Sequence, residues 1–159
     1  MILLNCETPA YPHSNMANED YAKALGLPNI ACTYPDFIEL KGPGKEEIYY
    51  ADSGAEGIIV TFNNIRYYFL QYTTKNSNQN NKENYDLVQI VIRDPSIRFG
   101  KHKIGVGSAK KEIEKVYRKN EVCYETELLG SGYIDGTWLY VRFLYDDNDC
   151  VKQMSISRE

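Results

Sequence analysis

His13 and His102 are the only imidazoles in the chain, and neither has a serine or cysteine nucleophile placed beside it in sequence. A G-x-S-x-G elbow, which presents a serine on a sharp strand-to-helix turn, is missing. Gly130-Ser131-Gly132 is too short to serve as one. The run Gly105-Val106-Gly107-Ser108-Ala109-Lys110-Lys111 offers more. A helix opening there would turn backbone N–H groups toward an anion, with two lysines adding charge. The run lacks the Walker spacing, and Lys110 stands where a dinucleotide fingerprint needs its third glycine. Its plain reading is a turn capped by Ser108. Its chemical reading is an anion site at Gly107, Ser108, Lys110 and Lys111.

Metal chemistry is also thinly supported. Asp146, Asp147, Asn148 and Asp149 carry side-chain oxygens, but not at the alternate positions of a calcium loop, and without its glycine. A solvated hairpin turn is the expectation. Cys6, Cys32, Cys123 and Cys150 contain no C-x-x-C pair, and with two histidines they make no zinc pattern. No metal and no cofactor are expected. The cysteine spacing is also unlike a disulfide framework, so four free thiols are expected. Net charge is −4, which is unfavourable for nucleic acid. The local basic stretch Lys101, His102, Lys103, Lys110, Lys111 and Lys115 is flanked by acids and reads as a solvated face. No apolar run is long enough to span a membrane. Met1 to Cys6 lacks the basic flank and long apolar stretch of an export signal and reads as a short strand or tail. A cytoplasmic protein is expected; export after removal of a leader is the alternative.

The surrounding elements alternate in type. Ala17, Tyr21, Ala24 and Leu25 fall on one helical face, and Gly26 before Pro28 ends that helix. Ala31 to Tyr50 reads as short extended pieces broken by Pro35 and Gly42-Pro43-Gly44. Ile58–Phe62 and Ile65–Thr73 read as strands joined by a two-residue turn at Asn63-Asn64. Residues 76–84 hold asparagine at five of nine positions and read as a polar loop. Leu87–Ile92 is a strand, and Ile97–Val106 is extended. A second helix carries Ala109, Ile113, Val116 and Tyr117 on one face. Val122–Leu129, Trp138–Tyr145 and Val151–Ile156 are the remaining strands, with turns at Asp135-Gly136 and Asp146–Asp149.

The halves echo each other. Leu87-x-x-Ile90-x-Ile92 answers Val151-x-x-Met154-x-Ile156, each after an aspartate. The expectation is a single domain over 1–159 with pseudo-repeats at about 14–95 and 96–159. In the second half, Ile104-Gly-Val-Gly107-Ser108-x-x-x-Glu112-Ile113-x-x-Val116-Tyr117 leads into Trp138-x-Tyr140-Val141-x-Phe143-x-Tyr145-Asp146 and then the final strand. Residues 104–156 resemble the unit of the beta-lactamase inhibitory protein and the SmpA/OmlA outer-membrane lipoproteins. That resemblance implies helices on one face of an antiparallel sheet, in an exported, non-enzymatic protein that binds other proteins.

The fold expected is therefore α+β: a mainly antiparallel sheet with two short helices on one face, built from two unequal tandem repeats. Aromatic residues make up 13% of the chain, with 14 tyrosines. Strand alternation places Leu139, Val141, Phe143 and Tyr145 on one face and Trp138, Tyr140 and Arg142 on the other. It likewise separates Ile65, Tyr67 and Phe69 from Arg66, Tyr68 and Tyr72. If helices cover the first set, the second presents Trp, Tyr and Arg, the residue types of binding hot spots. The expected function is non-enzymatic binding of another protein, as an inhibitor or immunity-type protein. The alternatives are a small enzyme or ligand carrier using the Gly107-Ser108 helix start, and a homodimer closed by the aromatic face. Titration of denatured, unreduced protein is expected to give four reactive thiols; fewer would reveal a disulfide and an oxidising compartment.

Overall fold

The structure is a computed structural model and describes residues 18–28, 32–71, 84–116, 127–134 and 137–158. Three short helices and seven strands lie among them. The first helix, α1, is Asn18–Leu25. It buries Tyr21 and Leu25 one turn apart and stops at Gly26, whose φ is 65°.

The second helix, α2, is Tyr34–Lys41 and replaces part of the extended stretch expected over Ala31–Tyr50. Pro35 was read as a breaker, yet it sits in the first turn, where its missing N–H costs nothing. The Thr33 hydroxyl accepts from the Asp36 N–H at 3.3 Å and caps the helix, and Tyr34 and Phe37 are its buried face. Gly42 ends it with φ 78°. The expectation of two helices is thus corrected to three.

The third helix, α3, is Lys110–Val116. Its N-cap is Ala109 rather than Ser108. The Ala109 carbonyl accepts from the Glu112 N–H, while the Glu112 carboxylate accepts from the Ala109 N–H at 2.8 Å. Ser108 lies buried one residue earlier. Its hydroxyl accepts from the Gly105 N–H at 3.0 Å and from Arg98 at 3.2 Å. Residues 97–106, expected to be extended, fold back at Gly100–Lys103, bridging Phe99 to Ile104.

The strands are β1 Lys45–Tyr50, β2 Glu56–Phe62, β3 Ile65–Gln71, β4 Tyr85–Ile92, β5 Glu127–Ile134, β6 Thr137–Tyr145 and β7 Val151–Arg158. They form one sheet in the order β1-β2-β3-β4-β7-β6-β5, antiparallel at every junction. β5 runs on through Gly130-Ser131-Gly132, beyond the end expected at Leu129. The Asp135-Gly136 turn, residues 122–126 and all but the last residue of the polar loop lie outside the described residues. Asn63 takes φ 50° in the two-residue turn joining β2 to β3.

Apart from β1, the sheet order is symmetric about the β4–β7 junction. β2-β3-β4 meets β7-β6-β5 along a seam where Ile90 pairs with Ile156 and Ile92 with Met154. The L-x-x-I-x-I and V-x-x-M-x-I patterns acquire a physical reason here. Register shifts beside Tyr68/Phe69 and beside Leu144/Tyr145 leave Val88 and Lys152 without a cross-strand partner. Each is an extra bulge residue, so apolar positions three apart point to the same side before ordinary alternation resumes.

That side carries the core. Ile58, Val60, Ile65, Tyr67, Phe69, Leu87, Ile90, Ile92, Val141, Phe143, Met154 and Ile156 join buried residues of all three helices in one cluster. Phe37 packs edge-on against Phe69 with ring centroids 5.1 Å apart, and Tyr21 lies 5.4 Å from Phe99. Ser108→Ala is expected to destabilise the protein by about 1–3 kcal/mol, because it orphans the buried Gly105 N–H. A denaturation midpoint equal to that of the parent protein would show that the Ser108 hydroxyl does not satisfy that group.

Candidate functional site

The opposite face of the sheet has no helix over it among the described residues. Its composition follows from strand parity. β1 contributes Lys45, Glu47 and Tyr49, β2 Gly57, Ile59 and Thr61, and β3 Arg66, Tyr68 and Leu70. β4 and β7 supply Gln89, Val91, Ser155 and Ser157.

Charged and aromatic groups gather at the β1–β3 end. Thr61 lies opposite Arg66 and Gly57 opposite Leu70, so β2 is a shallow valley that long side chains cross from both sides. Arg66 reaches Glu47 at 3.0 Å, and Lys45 reaches the other carboxylate oxygen at 3.3 Å. Lys45 first, and Arg66 beside it, hold the Glu47 carboxyl below the usual carboxylate range. The Arg66 guanidinium carbon sits 5.5 Å from the Tyr68 ring centre. Tyr49 meets Tyr68 edge-on at 5.5 Å and 80°. Burial, and then Tyr68, push the Tyr49 hydroxyl up from its ordinary value.

Magnitudes show what this cluster does for the fold. Exposed ion pairs are worth about 0–1 kcal/mol and an exposed cation–π contact about 0.5–1 kcal/mol. These contacts fix the orientation of Arg66 and the two tyrosines more than they stabilise the chain. A rigid, half-buried Tyr–Tyr–Arg group is suited to contact with another surface.

Two rows cross the sheet here. Arg66 pairs with Val91, Val91 with Ser155, and Ser155 with Arg142. Tyr68 pairs with Gln89, Gln89 with Ser157, and Ser157 with Tyr140. Three strand spacings, roughly 14 Å, separate the two ends of each row. Arg142 is exposed. Trp138 and Tyr140 hold backbone positions of the same parity in β6, with Trp138 paired to Tyr133. Tyr72 lies outside the described residues. The pairing of β4 with β7 therefore sets Arg66, Tyr68 and Arg142 on one face, with the backbone positions of Trp138 and Tyr140 in the same parity. Lys45, Glu47 and Tyr49, which no sequence expectation singles out, join that face from β1.

The helix start offers no comparable site. The Gly107 N–H donates to the Val151 carbonyl at 2.7 Å, and that of Ser108 to Gly105 at 3.0 Å. The Lys110 N–H donates to the Asp149 carbonyl at 2.8 Å, and the Ala109 N–H to Glu112. The backbone donors of Gly107, Ser108, Ala109 and Lys110 are thus engaged within the chain. Asp146 likewise turns inward, its carboxylate accepting from the Asn148 and Cys150 N–H groups at 2.9 and 3.0 Å. No group of three His, Cys, Asp or Glu side chains among the described residues is placed to hold a metal ion. On the covered face, burial pushes the Tyr67 hydroxyl up to about 12. Burial and a 2.9 Å hydrogen bond to Glu56 do the same for Tyr85. Both stay protonated near neutrality and cannot act as bases there. No helix among the described residues is long and apolar enough to cross a membrane.

Compared with protein families, with curated proteins and with solved structures, the chain matches none.

Gly57→Ala tests the site's construction. A methyl group there would meet the Tyr49 ring and stand 2.7 Å from the Phe69 carbonyl oxygen, backbone that cannot yield cheaply. A loss of about 1–3 kcal/mol is expected from this overpacking, read as a lower denaturation midpoint. An unchanged midpoint would mean that Tyr49 does not lie across Gly57.

Proposed function

We propose that this protein is a binding module whose uncovered sheet face engages the surface of another protein, without catalysis. The observation that carries this reading is the pair of cross-sheet rows. Arginine ends one row at both sides, and tyrosine ends the other, over a strip of Val91, Gln89, Ser155 and Ser157. Arginine and tyrosine at the ends of such rows, on an open sheet face, are residue types suited to contact with another protein. Such a surface suits a protein, whereas small molecules prefer enclosed cavities. An inhibitor or immunity-type role is the finer form of this reading.

The test contrasts the two faces. The Arg66→Ala/Arg142→Ala double variant and Tyr140→Ala are expected to keep most of the stability of the parent protein. Each should weaken a captured and identified partner by about 2 kcal/mol or more, measured by calorimetry. Phe143→Ala should instead cost about 3–5 kcal/mol of stability, since Phe143 is fully buried. If Tyr140→Ala destabilises as much as Phe143→Ala, both faces are covered and the platform does not exist.

A further inference from the structure

Three arginines of the uncovered face stand around ground that carries no charge. Arg66 and Arg142 close the ends of one cross-sheet row, through Val91 and Ser155. Arg93 continues the parity of Gln89 and Val91 just past the end of β4, where its N–H donates to the Asn64 carbonyl at 2.8 Å. Its Nε donates to Gln153 Oε1 at 2.8 Å, across the seam between β4 and β7. Arg93 is thus diagonal to Arg66, with about 7–8 Å between them at the backbone. Arg93 and Arg142 are exposed, and Arg66 is half-buried. On β4 and β7 the face presents Gln89, Val91, Gln153, Ser155 and Ser157 between these arginines, and none of the five is ionisable.

The acids of this face lie outside that ground. Glu47 is held on β1 by Lys45 and Arg66. Asp86 pairs with Leu70 at the other end of β4, and Glu127 pairs with Leu144 on the outermost strand. Asp94, next to Arg93 in the chain, turns its carboxylate to the Ser96 N–H and hydroxyl at 2.9 and 2.7 Å. The chain as a whole has net charge −4, so three guanidiniums about one uncharged strip are a local reversal of its sign.

The orientation of the side chains selects the kind of anion. Glu47 draws Arg66 toward β1, and Arg66 lies 5.5 Å from the Tyr68 ring centre, so it leans away from Arg142. Gln153 turns Arg93 toward β7. The three therefore do not close on one small anion; they spread over three strand spacings, roughly 14 Å. A guanidinium has five N–H donors and takes a carboxylate on two of them. The contacts above engage one on Arg66 and one on Arg93. A nucleic-acid strand repeats its phosphates about every 3.4 Å and calls for a dense basic stripe, which three separated cations do not supply. Carboxylates set several residues apart on a protein match them.

We infer that the partner presents an acidic protein surface here, with separate Asp or Glu side chains meeting Arg66, Arg93 and Arg142. This rests on the binding reading above and adds to it the charge of the partner.

Fluorescence anisotropy with a labelled decaglutamate peptide, on the intact chain at low ionic strength, tests the inference. The peptide is expected to bind, and raising the salt from about 20 mM to about 500 mM should weaken it at least tenfold, because exposed charges are screened. Arg93→Ala/Arg142→Ala should weaken it about tenfold with near-UV circular dichroism unchanged, both side chains being exposed. Lys111→Ala/Lys115→Ala removes the same charge from exposed positions of α3, on the covered side, and should bind as the parent does. Absence of binding at low salt overturns the inference. So do equal losses in the two double variants, which would reduce the effect to net charge, and tighter binding of decathymidylate than of decaglutamate, which would make the partner a nucleic acid. The comparison of Tyr140→Ala with Phe143→Ala uses neither probe, so the acidic partner can fall while the binding reading stands.

Discussion

One constraint governs the architecture: the described helices pack on a single face of the sheet. A strand so placed must send most of its large apolar side chains one way, and a slip of one residue would exchange the two faces. Ile65, Tyr67 and Phe69 against Arg66 and Tyr68 show the rule in β3, and Val141 and Phe143 against Arg142 show it in β6. The two bulges are consistent with the same constraint. At Val88 and Lys152 the chain accepts a break in its ladder so that Leu87 with Ile90, and Val151 with Met154, still reach the core. Burying each large apolar side chain is worth about 1.5–3 kcal/mol, more than a local irregularity costs.

The uncovered face inherits its form from that arrangement. Its residues are those left over by the core's alternation, and their mutual positions come from strand pairing. The central strands place Val91 and Ser155 there, both buried. Order in this surface is imposed from beneath, through a rigid sheet, so a partner would find Arg66, Tyr68 and Tyr49 already oriented. That reduces the conformational entropy which contact would otherwise have to overcome.

Much of this was legible from residue types. Alternation in Ile65–Phe69 and Leu139–Tyr145 separated core from surface, because a period of two survives in any sheet covered on one side. Helix α2 was not legible, since Pro35 and Gly42 mark a start and an end as readily as a break; the deciding information was the Thr33 cap and the burial of Phe37. Ser108 misled for a related reason. A serine before a helical stripe usually caps it, but Glu112 closes the box on Ala109 and frees Ser108 to satisfy Gly105 and Arg98. The rows joining Arg66 to Arg142 and Tyr68 to Tyr140 were beyond reach, because the strands between them pair across the whole chain. Tyr49 and Glu47 were missed because their contacts with Tyr68 and Arg66 run across β2, and strand pairing rather than residue type decides them.

The seam between β4 and β7 sets a timetable for folding. The β2–β3 turn joins neighbours and closes within microseconds, as hairpins do. The seam joins Ile92 to Met154, about sixty residues apart, so the entropy of closing a long loop must be met before its contacts give anything back. The four-strand meander β1–β4 and the three-strand meander β5–β7 can therefore assemble early, while the inner edge of each, at β4 or β7, still lacks a partner. The join that lays the two halves of the sheet side by side is thus also the strand pairing that spans the longest stretch of chain, and the one whose closure entropy is largest.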